Sequence, residues 1–242
     1  MKSARERRLP AAPRKFFMSL RDIAFWIRSA QADSMLGKLR GENHGPHVFD
    51  ALYDNLGDPW LSSASCYRYQ RLKYQRLVGM LPQRPFGRAL DIGCGLGVLT
   101  RFLAPHVGTI VGVDVSAKAA ERAALMSAGI TNIQFRQSDL RTLNPASDGQ
   151  FDLIVLADTM YYLSPLPDET LQCISRQVTQ LLVPGGMLLL ANHFFFGFDS
   201  DSRLSRRIHD CFEQQPGLKL SRSHRRCFYL VSLLERQTAE SC

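Results

Sequence analysis

Three closely spaced glycines carry the clearest chemical signal in the sequence. Gly93, Gly95 and Gly97 follow an apolar run that is typical of a buried strand, at a point where the chain must turn sharply and approach a ligand. The spacing is G-x-G-x-G, because Val98 stands where a dinucleotide fingerprint has its third glycine. A G-x-x-x-x-G-K-[ST] phosphate loop is also missing from the chain. The loop therefore predicts a nucleotide site and argues against a bound pyrophosphate, a kinase or an ATPase.

Three aspartates accompany this loop at predicted strand ends. Asp91 lies in the strand before the glycines, Asp114 ends the next strand 21 residues after Gly93, and Asp139 follows the third strand. Ligands of open α/β sheets bind at the carboxyl ends of the strands, and a carboxylate at the end of the second strand can accept both ribose hydroxyls. Such a set of acids suits a cationic amino-acid nucleoside better than a phosphate-bearing one.

Short apolar runs alternate with amphipathic stretches from residue 88 onward, which predicts βα units and a mostly parallel sheet. Ser116 is a candidate N-cap of the second of the helices in this region. The predicted strands cover residues 88–92, 110–114, 133–135, 151–157, 186–192, 218–220 and 227–234. The predicted helices cover residues 97–104, 116–128, 168–182 and 204–212.

Four motifs in order resemble the class I S-adenosylmethionine-dependent methyltransferases: residues 90–97, 113–116, 138–140 and 182–186. The match covers residues 86–235 and implies an α/β, Rossmann-like fold, with a seven-stranded, mostly parallel sheet and helices on both faces. It also implies S-adenosyl-L-methionine as cofactor, with Asp114 on the ribose and Asp139 near the adenine. The residues that the resemblance assigns to cofactor binding are Asp91, Gly93, Gly95, Gly97, Asp114, Ser116, Asp139 and Leu140.

A narrower set of segments resembles the NodS-type N-methyltransferases, which methylate an amino group of a chitooligosaccharide. These segments are residues 58–60 with Tyr67, residues 156–163, residues 191–193 and residues 208–210. Asp158 stands where a glutamate is expected, and Arg68 where an acid is typical. The resemblance therefore implies N-methylation of an amine or amino sugar, without the nodulation substrate itself.

The candidate catalytic residues follow the fourth and fifth predicted strands. Methyl transfer to an amine needs an unprotonated nitrogen, so a carboxylate or imidazole there can orient the nitrogen and take its proton. We expect Asp158 and His193 to form this pair, and Tyr162, with Tyr161 beside it, to hold a sugar ring or a cationic amine. For each residue the alternative is a role in packing or in a structural hydrogen bond.

The family resemblance implies that residues 58–74, before the first predicted strand, close over the cofactor. Trp60, Tyr67 and Arg71 are the candidates for this cover, and helical spacing places Tyr67 and Arg71 on one face with Tyr74. The predicted divisions are a basic arm with an amphipathic helix (1–45), a helical lid (46–84), the methyltransferase domain (85–236) and a tail (237–242).

Composition limits the remaining choices. The 242 residues are 45% hydrophobic and 21% charged, with a net charge of +8, as in an ordinary folded chain. Residues 1–40 hold ten Lys or Arg and three Asp or Glu, which leaves the body nearly neutral, so no nucleic acid is expected as partner. The six cysteines form no C-x-x-C pair, which favours free thiols, no metal site and a cytoplasmic location.

Alternatives remain for the arm and for the activity. Residues 14–28 include a basic amphipathic stretch that can make weak contact with a membrane or partner, or translation begins at Met18. The chain can also be an RNA or protein methyltransferase that recruits its substrate through the arm. A third reading is a catalytically silent protein that binds the cofactor and a partner.

Overall fold

A computed structural model describes residues 27–36, 45–63, 68–163, 165–226 and 228–238. The described helices are α1 (27–36), α2 (Pro46–Leu56), α3 (Arg68–Val78), α4 (Val98–Leu103), α5 (Ala117–Met126), α6 (Pro145–Asp148), α7 (Asp168–Leu181) and α8 (Ser200–Gln214). The strands are β1 (Phe86–Ile92), β2 (Val107–Asp114), β3 (Ile133–Gln137), β4 (Phe151–Ala157), β5 (Leu182–Phe194), β6 (Leu218–Arg226) and β7 (Phe228–Arg236). Short 3₁₀ helices cover Ala104–His106, Leu140–Thr142 and Met160–Leu163.

The strands form one seven-stranded sheet in the order β3-β2-β1-β4-β5-β7-β6. Strands β1 to β5 run parallel, and β7 pairs antiparallel with both β5 and β6. This confirms the predicted Rossmann-like α/β fold. The chain order reverses between β1 and β4, so a ligand crevice is expected at the carboxyl ends of these two strands.

The central strands are largely apolar because both faces of the sheet are covered. Leu90 of β1 and Ile154 of β4 pack with α7 and α8 on one face. Ala89 and Leu153, one residue earlier in each strand, pack with α3 and α4 on the other. The alternation of strand side chains thus fixes which helices cover which face. Within the described ranges, no helix is both long and apolar enough to span a membrane.

Three elements, β5, α8 and β6, differ most from the prediction, each being six residues longer than its predicted range. Strand β5 extends from Leu182 to Phe194, because its pairing with β4 continues across a register shift at residues 183–186. Helix α8 begins at Ser200, where the Asp199 carboxylate accepts the Ser202 amide hydrogen at 2.8 Å. Strand β6 runs to Arg226, and its polar residues suit an edge strand but hide the strand pattern.

Candidate functional site

A cavity of about 720 Å³ lies at the carboxyl ends of β1, β2, β4 and β5. Helices α1, α2 and α3 contribute the side chains on its opposite wall. Its volume is in the range of small-molecule sites. Gly93 and Asp114 line one part of the cavity, the glycine-loop end. Asp158 and His193 line another, which we name the acceptor end after the predicted role of these two residues.

Gly93 is required by the close approach of β1 and β4 at the switch point. Its φ is +73°, and a Cβ at this position would lie 2.2 Å from Thr159 Oγ1. The Thr159 hydroxyl is itself within hydrogen-bond distance of the carbonyl oxygens of Ile92 (3.0 Å) and Ala157 (3.1 Å). A side chain at position 93 would therefore separate the two strand ends.

Asp114 ties the glycine loop to the end of β2. One carboxylate oxygen accepts the Gly95 amide hydrogen at 2.9 Å, and the other accepts that of Ser116 at 2.9 Å. Burial raises the pKa of Asp114 to about 6, against the lowering effect of these backbone hydrogen bonds. The carboxylate lines the cavity, as predicted for a ribose contact.

Asp139 and Leu140 also line the glycine-loop end of the cavity, beyond the end of β3. The Arg141 Nε donates to both Asp139 oxygens, at 3.0 and 3.1 Å. These hydrogen bonds are the largest cause that lowers the pKa of Asp139. The pairing with Arg141 orients the carboxylate at the cavity wall.

Three other residues predicted to bind the cofactor, Asp91, Ser116 and Gly97, do not line the cavity. Their contacts join the elements around the glycine loop to one another. The buried Asp91 carboxylate accepts a hydrogen bond from Thr100 Oγ1 at 2.6 Å, which joins β1 to α4. Ser116 caps α5 and donates to Asp50 of α2 at 2.6 Å. A Cβ at Gly97 would lie 2.5 Å from the Phe135 ring, so this glycine is needed for packing.

The predicted cofactor contact of Arg71 needs correction, because Arg71 is exposed on α3 and does not line the cavity. The helical repeat turns Tyr69, Gln70 and Lys73 toward the cavity instead. Tyr67, predicted on the same face, lies outside the described residues.

Trp60 and Tyr162 form a cover over the cavity with Asp33 of α1. The Trp60 Nε1 and the Tyr162 hydroxyl each donate to Asp33 Oδ1 at 3.0 Å. The two rings also pack together, with centroids 5.2 Å apart. Trp60 is thus placed in the predicted cover, and Tyr162, predicted beside the acceptor, has its hydroxyl engaged with α1.

Asp158 follows β4 in a left-handed backbone conformation, with φ of 55°. Its amide hydrogen is donated to the Ala191 carbonyl at 2.8 Å, which holds this turn against β5. A left-handed non-glycine residue is uncommon, and such residues often cluster at functional sites. Oδ2 of Asp158 pairs with Lys73, whereas Oδ1 is buried with no hydrogen-bond partner among the described residues.

His193 lies at the same end of the cavity, near the end of β5. Its ring packs against that of Tyr161, with centroids 4.1 Å apart and the ring planes tilted by 54°. Nε2 has no hydrogen-bond partner in the described part of the chain, and the nearest carboxylate oxygen, from Asp201, is 3.8 Å away. Burial is the main cause that lowers the pKa of His193, so the imidazole is neutral at neutral pH and can accept a proton.

The sequence reasoning missed Lys73, Gln70, Thr159 and Asp33. Lys73 and Gln70 are three residues apart, so a helix places them on the same face. Because α3 is largely polar, the sequence has no clear apolar stripe from which to tell whether that face points inward. Thr159 follows the predicted Asp158 directly and could have been found from that position. Asp33 acts through contacts with Trp60 and Tyr162, which are distant in sequence.

Comparison with known proteins finds similar sequences over part of this chain. Residues 89–186 match the family model described as a methyltransferase domain. Nodulation protein S of Rhizobium tropici is 30% identical over 152 residues, covering 63% of this chain and 59% of that protein. Nodulation protein S of Sinorhizobium fredii is 29% identical over 152 residues, covering 63% of this chain and 65% of that protein. The chain thus spans about three fifths of the length of these relatives.

Solved structures support the same fold. The crystal structure of N-methyltransferase NodS from Bradyrhizobium japonicum, in complex with S-adenosyl-L-homocysteine, superposes with a TM-score of 0.63 at 22% identity. That superposition covers 75% of this chain and 93% of the other. A methyltransferase structure from Pseudomonas syringae gives a TM-score of 0.59 at 23% identity, covering 70% of this chain and 100% of the other.

Proposed function

We propose that this chain is a class I methyltransferase of the NodS-like type, and that it transfers a methyl group from S-adenosylmethionine to the amine nitrogen of a small molecule such as an amino sugar. One observation carries this proposal. Asp158 Oδ1 and His193 Nε2 are buried acceptor atoms, without hydrogen-bond partners among the described residues, in the same cavity as the glycine loop. Buried polar atoms are normally paired, so two such atoms in one cavity indicate a ligand with N–H groups.

The glycine-loop end fits S-adenosylmethionine. Gly93 and Gly95 line the cavity with main chain alone, and a Cβ would lie 2.2 Å from Thr159 Oγ1 at Gly93 and 3.1 Å from the Tyr53 hydroxyl at Gly95. Each oxygen of Asp114 accepts one backbone hydrogen bond and keeps a lone pair for a ribose hydroxyl. When bound, the cofactor supplies a methyl group on a positively charged sulfur. The cover formed by Asp33, Trp60 and Tyr162 excludes water from the reacting end.

The chain contributes to methyl transfer mainly by positioning and by taking a proton. The acceptor nitrogen uses its lone pair to form the N–C bond while the C–S bond breaks, and the electron pair of that bond stays on sulfur. Asp158 Oδ1 accepts one N–H of the acceptor and fixes the direction of its lone pair. The neutral imidazole of His193 then takes the proton that the methylated nitrogen must lose.

The aromatic wall of the cavity favours a ring-bearing or cationic product. Tyr161 packs against both His193 and Tyr162, with ring centroids 4.1 and 4.4 Å apart. The face of a tyrosine attracts a cation such as a methylated ammonium, and it also supports the apolar face of a sugar ring. Amino sugars combine an amine with such a ring, so they are the acceptors to test first.

The test is methyl transfer from isotopically labelled S-adenosylmethionine to glucosamine, with N-acetylglucosamine as the matched acceptor that lacks a basic amine. We expect label on the nitrogen of glucosamine and none on N-acetylglucosamine, measured by mass spectrometry and NMR. Asp158→Asn is expected to lower kcat at least tenfold while leaving the Kd for S-adenosylmethionine within about twofold, because Asp158 lies at the acceptor end.

Two results would contradict the proposal. Equal labelling of the two sugars, or label on a hydroxyl oxygen, would remove the amine from the reaction. A loss of cofactor affinity in Asp158→Asn as large as the loss in turnover would place this residue in the cofactor site instead. Asp210→Asn, which changes an exposed acid on α8, serves as the control variant.

A further inference from the structure

Lys73 is a buried cation at the acceptor end of the cavity, and the mechanism above does not use it. Its side chain on α3 is 3% exposed, and its ammonium forms an ion pair with Asp158 Oδ2. The same nitrogen lies 5.4 Å from the centroid of the Tyr229 ring. Lysine is almost never fully buried unless it is paired, so this contact is a specific feature of the site.

The ion pair divides the two oxygens of Asp158 between the chain and the ligand. Lys73 occupies Oδ2, and Oδ1 is left for the acceptor. The Asp158 backbone is held from the other side by the Ala191 carbonyl, in a left-handed conformation. The carboxylate is therefore fixed at both its main chain and its side chain.

The charge of this pair decides the protonation state of a bound amine. A buried carboxylate alone would stabilise the ammonium form, in which the nitrogen lone pair is held by a proton and cannot attack. Lys73 neutralises the carboxylate and repels a second cation, and both effects favour the free amine.

The other ionisable groups near this point do not change that balance. Burial raises the pKa of Tyr74, Tyr161 and Tyr162 and lowers that of His193, so all four are neutral at neutral pH. Asp33 and Asp201 are negative but exposed, the latter with 61% of its side chain accessible, so water screens them. Among the described residues, the buried carboxylates of Asp91 and Asp114 belong to the glycine-loop region, which leaves Lys73 and Asp158 as the two largely buried charges at the acceptor end.

We propose that Lys73 is a positioning residue that makes the acceptor bind as a free amine. Lys73 neutralises Asp158 and leaves only Oδ1 of that carboxylate to receive an N–H of the acceptor. The proton that the acceptor carries as an ammonium ion in solution passes to solvent on binding. This inference rests on the proposed amine methylation. It identifies the acceptor class as amines that are largely protonated in solution at neutral pH and must lose that proton in the site.

The experiment compares wild type with Lys73→Met, Lys73→Arg and the double variant Lys73→Met/Asp158→Asn. The pH dependence of kcat is measured with glucosamine and labelled S-adenosylmethionine. Lys73→Met leaves the carboxylate unbalanced, so we expect the acidic limb of the profile to move up by about one pH unit, with kcat near pH 7 about tenfold lower and KM lower. Lys73→Arg keeps the charge and is expected to keep the wild-type position of the limb.

The double variant separates charge from structure. Its kcat is low because the carboxylate of Asp158 is replaced by an amide. Neither charge of the pair is present, so the acidic limb of its pH profile is expected to return toward that of wild type. A merely structural role of Lys73 predicts the same loss of kcat in all three variants, with no shift of the limb, and would overturn the inference. Far-UV circular dichroism and the Kd for S-adenosylmethionine establish that each variant is folded.

Calorimetry gives a second readout that does not depend on turnover. Glucosamine is titrated into the protein with S-adenosylhomocysteine, in two buffers of different ionisation enthalpy, to count protons released on binding. We expect wild type to release more protons per amine than Lys73→Met does, and equal release would overturn the inference. If the wild-type protein neither binds nor methylates glucosamine, the proposed amine methylation itself fails. If the wild-type protein methylates glucosamine but the pH profiles of the Lys73 variants are not shifted, only the inference about Lys73 fails.

Discussion

At the scale of single residues, Asp114 connects the glycine loop to the strand beside it. Its two oxygens accept the amide hydrogens of Gly95 and Ser116, each at 2.9 Å. In Asp114→Asn an amide NH₂ replaces one of the two carboxylate oxygens and cannot accept its hydrogen bond, and the negative charge is lost. We expect the Kd for S-adenosylmethionine to rise about tenfold to a hundredfold, since hydrogen bonds to charged groups contribute roughly 1.5–3 kcal/mol. Isothermal titration calorimetry measures this change.

The same titration with Asp210→Asn, on the exposed side of α8, is the control and should match wild type. Unchanged affinity in Asp114→Asn would place the ribose away from β2. Thermal unfolding of both variants separates a loss of binding from a loss of fold.

Asp91 gives a prediction about stability and pH. Burial raises its pKa to about 6 from an ordinary 3.8, so the folded protein holds a proton there that the unfolded chain releases between these pH values. The stability associated with this group is full below about pH 4 and is lost as pH rises through 6. Asp91→Asn removes this loss and keeps an acceptor for Thr100. We expect the variant to gain up to about 3 kcal/mol over wild type at pH 7.5, and less at pH 4.5.

Urea unfolding at the two pH values measures this difference, with exposed Asp210→Asn again as the control. A gain that is equal at both pH values would show that Asp91 is not buried as a proton-binding acid. A lower stability of Asp91→Asn than of wild type at both pH values would show that the hydrogen bond with Thr100 matters more for stability than the charge of Asp91 does.

At the scale of elements, helix α1 is held over the cavity by the hydrogen bonds to Asp33 and by the packing of Leu36 against α2. Oδ1 of Asp33 receives hydrogen bonds from Trp60, before α3, and from Tyr162, after β4. In Asp33→Ala both donors lose their partner and α1 is less firmly closed. We expect S-adenosylhomocysteine to dissociate about threefold to tenfold faster, measured by stopped-flow fluorescence.

Asp33→Asn keeps an acceptor oxygen, so its dissociation rate should lie closer to wild type than to Asp33→Ala. Identical rates in all three proteins would show that α1 does not cover the bound nucleoside.

Elements whose side chains alternate or follow strong turn signals are predictable from the sequence. Strand β4 has the predicted bounds, and the glycine loop and Asp114 are at the predicted strand ends. Helix α3 is different, because its residues are largely polar and the sequence pattern does not show which of its faces lines the cavity. Arg71 could therefore not be separated from Lys73 by pattern alone. The pairing of Lys73 with Asp158 joins residues 85 positions apart, which local sequence does not report.

At the scale of the whole molecule, most of the net positive charge belongs to residues 1–40, and the net charge of the rest of the chain is close to zero. The cavity is built from β-strand ends and from α1, α2 and α3. Removing residues 1–26 should therefore leave the Kd for S-adenosylmethionine within about twofold of wild type at physiological salt, where distant charges are screened. Removing residues 1–36 also deletes Asp33 and should weaken binding.

Calorimetric titration of the two truncated proteins makes this comparison. Equal, large losses in both would assign residues 1–26 a part in the cofactor site. Activity on RNA that disappears with residues 1–26 would instead favour a macromolecular substrate recruited by the basic arm.

The central claim, that this cavity binds an amino-acid nucleoside over a glycine loop, is tested most directly by titrating the purified protein with S-adenosylmethionine and, separately, with NAD at one salt concentration. The account predicts one site with a Kd of about micromolar scale for S-adenosylmethionine and no detectable binding of NAD. Binding of NAD with similar or higher affinity, or no binding of S-adenosylmethionine, would contradict it.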